Sequence, residues 1–122
     1  MSEWRWFTHE RVRFGDCDPM GHANNAVYST YLEQARITAL GGLDPFILAR
    51  VEIDFRAELH ADDAIEIRTR CSRVGTKSFE LSYELHAGGR LVAEAKSVLV
   101  GYDYEREAST EIPERWKRRL SE

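Results

Sequence analysis

Gly15-Asp16-Cys17-Asp18-Pro19-Met20-Gly21-His22-Ala23-Asn24-Asn25 is the stretch from which the rest of the chain is best read. Its residues favour turns for different reasons: glycine tolerates positive φ, proline presets φ, and Asx side chains bond to nearby backbone. An apolar stripe follows at once. Over residues 26–40, Val27, Tyr28, Tyr31, Leu32, Ala35 and Ala39 recur at steps of three and four, with Ser29, Thr30, Glu33 and Arg36 opposite, until Gly41-Gly42 stops the run. This spacing predicts an amphipathic helix of about four turns, entered from an ordered loop whose closing Asn24 and Asn25 suit its N-terminus.

On either side of this unit the period changes to two. Upstream, over residues 4–14, Trp4, Trp6, Thr8, Val12 and Phe14 alternate with Arg5, His9, Arg11 and Arg13, Glu10 being the exception, which predicts a half-buried strand. Downstream, Ile47, Ala49, Val51, Ile53, Phe55, Ala57 and Leu59 point one way and Arg50, Glu52, Asp54, Arg56 and Glu58 the other, before 60–63 turns the chain. The alternation continues through Ile65, Ile67, Thr69 and Cys71, then Phe79, Leu81, Tyr83, Leu85 and Ala87, then Leu91, Ala93 and Ala95. Val98-Leu99-Val100 is apolar on both faces and predicts an enclosed strand, and Pro113 opens a short basic helix ending near Leu120. The expected architecture is α+β: a strand, a long helix, then four strands in a meander forming a curved antiparallel sheet of about five strands in all. Its open edges ask for a second copy, so a homodimer or homotetramer is expected.

Composition narrows the function. The 122 residues, 43% hydrophobic and 31% charged, suit a single domain over 1–122. Seventeen basic against 21 acidic residues leave a net charge of -4, the wrong sign for a broad nucleic-acid surface. Two isolated cysteines, Cys17 and Cys71, build neither a disulfide framework nor a structural zinc site by themselves. No apolar run approaches the ~20 residues of a membrane span, and the polar start at residues 1–6 is unlike a secretory signal. A cytoplasmic protein with no membrane or nucleic-acid partner is expected.

Candidate chemistry concentrates in the loop, where Asp16, Asp18, His22, Asn24 and Asn25 fall within ten residues. A loop entering a helix offers unpaired backbone N–H groups and the positive end of the helix dipole, which stabilise an oxyanion. A carboxylate beside it can act as nucleophile or as general base for water. The same residues also suit plain turn-making and capping, and composition leaves both readings open.

The stretch 14–25, with Tyr28, Tyr31, Glu33 and Arg36 after it, resembles the signature of hotdog-fold acyl-CoA thioesterases of the 4-hydroxybenzoyl-CoA thioesterase type. The resemblance extends over nearly the whole chain, including 51–56, 73–78 and 98–103. It implies a hotdog fold, in which the sheet wraps around one long central helix, and hydrolysis of an acyl or aroyl thioester to free acid and coenzyme A thiol. By position it implies a catalytic Asp18, a carbonyl-polarising backbone N–H at Asn25, and an orienting role for His22. It also implies that Arg73, Lys77 and Ser78 approach coenzyme A phosphates, with sites built between subunits. No metal and no cofactor are expected, coenzyme A being part of the substrate. The link from Leu40 to Ile47 is shorter than in many relatives, which implies a reshaped acyl pocket.

Other readings of the same residues compete. Glu33 and Arg36, three apart, suit an ion pair on the helix surface or at an interface. Arg73, Lys77 and Ser78 suit an ordinary solvated hairpin. Cys17 reads as a filler of the turn, and Trp4, Trp6 and Phe7 as sheet packing. Asp16-Cys17-Asp18 is not the D-x-D of phosphoryl transfer, because the strand before it is half exposed, and His9, Asp16, Asp18 and His22 lack the spacing of a closed metal site. The alternative function is a non-catalytic acyl-CoA-binding hotdog module.

Overall fold

The computed structural model describes residues 4–42 and 45–121. Strand β1 (Trp6–Arg11) leads through the loop to helix α1 (Val27–Leu40), followed by β2 (Phe46–Phe55), β3 (Ala64–Val74), β4 (Ser78–Ala87), β5 (Arg90–Asp103), the two-residue β6 (Ala108–Ser109) and helix α2 (Glu114–Ser121). One antiparallel sheet has the order β1-β3-β4-β5-β2, with β6 pairing on β5. This is the α+β hotdog arrangement, with α1 packed against one face of the sheet. Part of the link after α1 lies outside the described residues.

Alternation places the core. Ile65, Ile67 and Thr69 of β3, Phe79, Leu81, Tyr83 and Leu85 of β4, and Ala93, Ala95, Ser97 and Leu99 of β5 are buried. Tyr28, Tyr31, Leu32, Ala35, Ala39 and Leu40 of α1 join the same cluster. Each large apolar side chain removed from water there contributes about 1.5–3 kcal/mol. The helix stops where Gly41 takes φ 75°, its N–H donating to the Ile37 carbonyl at 2.8 Å, a left-handed cap that glycine adopts without strain. Strand β5 is paired along both edges, by β4 and β2, while of Val98-Leu99-Val100 only Leu99 is buried and the two valines on the opposite face are half-buried.

Several expectations are corrected. Only β3, β4 and β5 form a meander; β2 lies at the far edge against β5. Reaching β3 from that edge obliges the chain to cross the ends of β5 and β4, so β2 stops at Phe55 rather than running on to Leu59. The crossing is held by N–H groups of Arg56 and Ala57 donating to the Val92 carbonyl at 2.8 and 3.1 Å. Within β2 the register shifts between Leu48 and Arg50, leaving Ala49 unpaired. This bulge reverses the alternation, so Phe46 and Leu48, not Ile47 and Ala49, share a face with Val51, Ile53 and Phe55. Arg36 is buried at 5% exposure and makes no ion pair with Glu33. It continues the Tyr28, Leu32 row at four-residue steps, which faces the sheet. Phe14 is 89% exposed instead of facing the core, because β1 ends at Arg11 and the chain turns away.

Candidate functional site

The loop begins with a single 3-10 turn, Phe14–Asp16. Asp16 is buried, and its Oδ2 accepts from the Arg13 N–H at 3.0 Å and from the Tyr31 hydroxyl at 2.9 Å. The Arg13 guanidinium stands 3.4 Å from its Oδ1. Burial alone would push this carboxyl up, but the Arg13 backbone, the Tyr31 hydroxyl and the Arg13 charge together hold it below its ordinary value. Burial and the Asp16 carboxylate raise Tyr31 well above the ordinary tyrosine range. Asp16 is therefore engaged on all sides as the anchor of the turn.

Asp18, two residues on, is held differently. Its N–H donates to the His22 carbonyl at 2.8 Å, and Gly21, at φ 88°, donates back to the Asp18 carbonyl at 2.9 Å. Oδ1 accepts from the N–H groups of Met20 and His22 at 2.9 and 3.3 Å. Oδ2 has no hydrogen-bond partner among the described residues. Asp18, His22, Ala23, Asn25, Tyr28, Phe55, Arg56, Ala57 and Glu58 line one cavity of about 310 Å³, in which Tyr28 meets Phe55 edge to face at 4.9 Å. A half-buried carboxylate with one fixed and one free oxygen thus shares a pocket with apolar and aromatic surface.

The helix entrance supplies the opposite charge. The Asn24 N–H donates to the Asp16 carbonyl at 2.8 Å, and its Oδ1 accepts from the Ala26 N–H at 2.9 Å. Asn24 thereby acts as an Asx turn ahead of the helix, while the cap position itself falls on Ala26, which offers no side-chain acceptor. Asn25 lines the cavity, and its N–H donates to no acceptor among the described residues. It lies at the positive end of α1, where an anionic oxygen is stabilised.

His22 also lines the cavity. Its Nε2 stands 3.2 Å from Oε2 of Glu58, and the Glu58 oxygen is 3.6 Å from Nε2 of His60. Glu58 and His60 carried no functional expectation in the sequence. The signal available was their two-residue spacing about the buried Leu59, which puts both side chains on one side of an extended segment. The crossing from β2 to β3 then brings that side to His22, with which His60 forms a backbone bridge. His9, by contrast, sits on β1 beside Glu66 at 3.6 Å, and Asp16 is taken up by Arg13 and Tyr31.

Arg73, Lys77 and Ser78 belong to the β3–β4 turn, where Gly75 donates to the Ser78 carbonyl at 2.7 Å and Gly101 to the Lys77 carbonyl at 2.9 Å. Strand β3 starts beside the Asp62–Asp63 turn and ends at this hairpin. With 11 residues rising about 3.3 Å each, it separates the hairpin from the Asp18 end of the sheet. Within one chain the three residues do not join the cavity.

The sequence model of the Thioesterase-like superfamily matches residues 12–120. A thioesterase from Thermus thermophilus, complexed with coenzyme A and zinc, superposes with a TM-score of 0.90 at 28% identity, over 98% of this chain and 100% of that one. A probable thioesterase from Escherichia coli has a TM-score of 0.84 at 24% identity, over 95% and 96%. A 1,4-dihydroxy-2-naphthoyl-CoA thioesterase from Synechocystis has a TM-score of 0.87 at 18% identity, over 96% of each chain. None of the curated proteins matches by sequence. Fold and family define the class, a thioester hydrolase on a hotdog scaffold. The chain belongs to the thioesterase-like superfamily. Among the described residues no helix is long and apolar enough to cross a membrane.

Proposed function

We propose that the protein hydrolyses an acyl or aroyl thioester of coenzyme A, with Asp18 as the acting carboxylate, the Asn25 N–H polarising the thioester carbonyl, and His22 orienting substrate or water. The observation that supports this reading is that Asp18, whose Oδ2 has no partner among the described residues, and Asn25, whose N–H has none, line one cavity. A thioester placed between them meets a base or nucleophile on one side and a hydrogen-bond donor for its oxygen on the other. In one route the carboxylate attacks the carbonyl carbon, the thiolate leaves, and water then cleaves the mixed anhydride. In the other, Asp18 takes a proton from water as that water adds, and the tetrahedral intermediate expels the thiolate. Both use only protein groups and water, and in a single turnover in heavy-oxygen water a labelled Asp18 marks the first route, with water adding at the Asp18 carbon of the anhydride, whereas the second route labels only the product acid.

A second copy belongs to the same proposal. Among the described residues strand β2 has no neighbour on its outer edge, and Ile47, Leu48, Val51 and Phe55 are exposed along it. Antiparallel pairing of two such edges would turn one chain end for end relative to the other. The Arg73, Lys77 and Ser78 hairpin of one copy would then share a sheet end with Asp18 of its neighbour, giving the coenzyme A phosphates basic and hydroxyl partners. A homodimer or homotetramer follows.

The test is thiol release from short, medium, long and aromatic acyl-CoA substrates by the wild type and by Asp18→Asn. The variant keeps Oδ1 as acceptor for Met20 and His22, so its fold should survive. Loss of the carboxylate should lower kcat by about 10²–10⁴-fold. Substrate binding with no Asp18-dependent release would favour a non-catalytic acyl-CoA-binding module.

A further inference from the structure

Beside the cavity, the Glu58 carboxylate stands between two imidazoles. Its Oε2 is 3.2 Å from His22 Nε2 and 3.6 Å from His60 Nε2, and the three donor atoms all lie within 4.8 Å of one another. Donors held at about 2.0–2.1 Å by one tetrahedral zinc ion are about 3.3 Å apart. The observed spacing brackets that value for the two Glu58 pairs, and the two imidazole nitrogens lie within 4.8 Å of each other. We infer that His22, Glu58 and His60 form a binding site for a divalent transition metal of the zinc type.

The anchoring of the three residues supports this assignment. His22 and His60 are joined by a backbone bridge, and the Ala23 N–H donates to the Leu59 carbonyl at 2.7 Å, fixing the strand of chain that carries Glu58 and His60 against the loop. Arg90 donates to the Glu58 carbonyl at 3.1 Å. The two rings meet edge to face, 5.3 Å between centroids and 75° between planes, so their nitrogens converge on the carboxylate rather than stacking away from it.

Charge and surroundings agree. Arg90 is directed to Asp63, at 3.7 Å, and to the Glu58 carbonyl. The Glu58 carboxylate therefore has no Lys or Arg partner among the described residues, and its near neighbours there are the two imidazoles. Behind His60, Asp63 accepts from its backbone N–H at 2.9 Å and lies 3.8 Å from its Nδ1. That leaves a carboxylate near the far ring nitrogen, the side on which metal-bound histidines commonly have one as hydrogen-bond partner. Two imidazole nitrogens and one carboxylate oxygen favour zinc over magnesium or calcium, which take oxygen ligands. Three protein ligands would leave a tetrahedral ion one position for water, and His22 and Glu58 also line the Asp18 cavity. This inference does not depend on the hydrolytic reading; the ion binds whether or not the chain turns over a thioester.

The test uses the untagged full chain, stripped with a chelator and titrated calorimetrically with zinc chloride and, separately, magnesium chloride. Cobalt(II) absorption reports the geometry. We expect one zinc per chain, tetrahedral cobalt bands in the visible, and no magnesium binding. His60→Ala and Glu58→Gln should each weaken zinc by more than about tenfold, with His9→Ala unchanged. Thermal melting of the metal-free variants checks that they fold; the near-isosteric Glu58→Gln serves if His60→Ala does not. Absence of zinc binding, binding that survives both substitutions, or equally tight magnesium would overturn the assignment.

Discussion

The Tyr31 hydroxyl donates a hydrogen bond to Oδ2 of Asp16 at 2.9 Å, tying the loop before α1 to the second turn of the helix that follows it. Asp16 in turn takes the Asn24 N–H on its carbonyl, so one buried residue sets both the turn that presents Asp18 and the start of the helix. The two aspartates of Asp16-Cys17-Asp18 thus divide their work: the first is consumed by structure, and the second keeps an oxygen free.

Tyr31→Phe deletes the donor and leaves a buried carboxylate oxygen short of one partner. Hydrogen bonds to charged groups are worth about 1.5–3 kcal/mol, and a loss of that size is expected in urea unfolding. A change below about 0.5 kcal/mol would mean that the pair does not hold the loop.

Acid should expose the same contact. Because the folded-state pKa of Asp16 lies below its ordinary value of 3.8, its ionised form stabilises the native state. That contribution is complete above the ordinary value and is lost as pH falls through the lowered one. Melting curves from neutral to strongly acidic pH should therefore decline less steeply for Asp16→Asn, although that variant starts less stable. Parallel declines would assign the acid sensitivity to other carboxylates.

At Asn25 the backbone is expected to matter and the side chain is not. Asn25→Ala keeps the N–H and should retain kcat within a few-fold, whereas Asn25→Pro removes the donor and should cost about 10²–10³-fold, the usual effect of losing one oxyanion donor. Circular dichroism and melting establish that the proline variant is folded. Equal activity in the two variants would place the oxyanion elsewhere.

Gly101 is a packing requirement. A Cβ there would lie 2.6 Å from the Thr110 carbonyl oxygen and 3.4 Å from that of Glu111, both backbone atoms that cannot swing aside. Gly101→Ala should destabilise by about 1–3 kcal/mol in chemical denaturation, with the C-terminal segment and α2 loosening first by hydrogen exchange.

Much of the fold was legible along the chain. The Tyr28, Tyr31, Leu32, Ala35, Ala39 spacing defines α1, and the odd-numbered apolar residues of β3 and β4 are the ones buried. The errors cluster where local pattern is silent. Nothing in Ile47-Leu48-Ala49-Arg50 announces a bulge, because the extra residue is selected by pairing with β5. Arg36 looked like a surface partner of Glu33 because charge outweighed its place in the Leu32 row. At the site, the crowding of Asp18, His22 and Asn25 into one loop was visible, and the three line one cavity. Their roles in catalysis are the proposal under test.

Periodicity and turn chemistry are short-range properties, so the order of residues alone was enough to specify strand, loop, helix and strands, and to gather the candidate acid and the helix entrance within eight positions. Which strands become neighbours depends on how far the chain must travel to bury its apolar faces, and that is decided only when the whole sheet closes around α1. The crossing from β2 to β3 is the product of that closure. It carries Glu58 and His60 up to His22, a meeting across 36 and 38 residues that no local spacing contains.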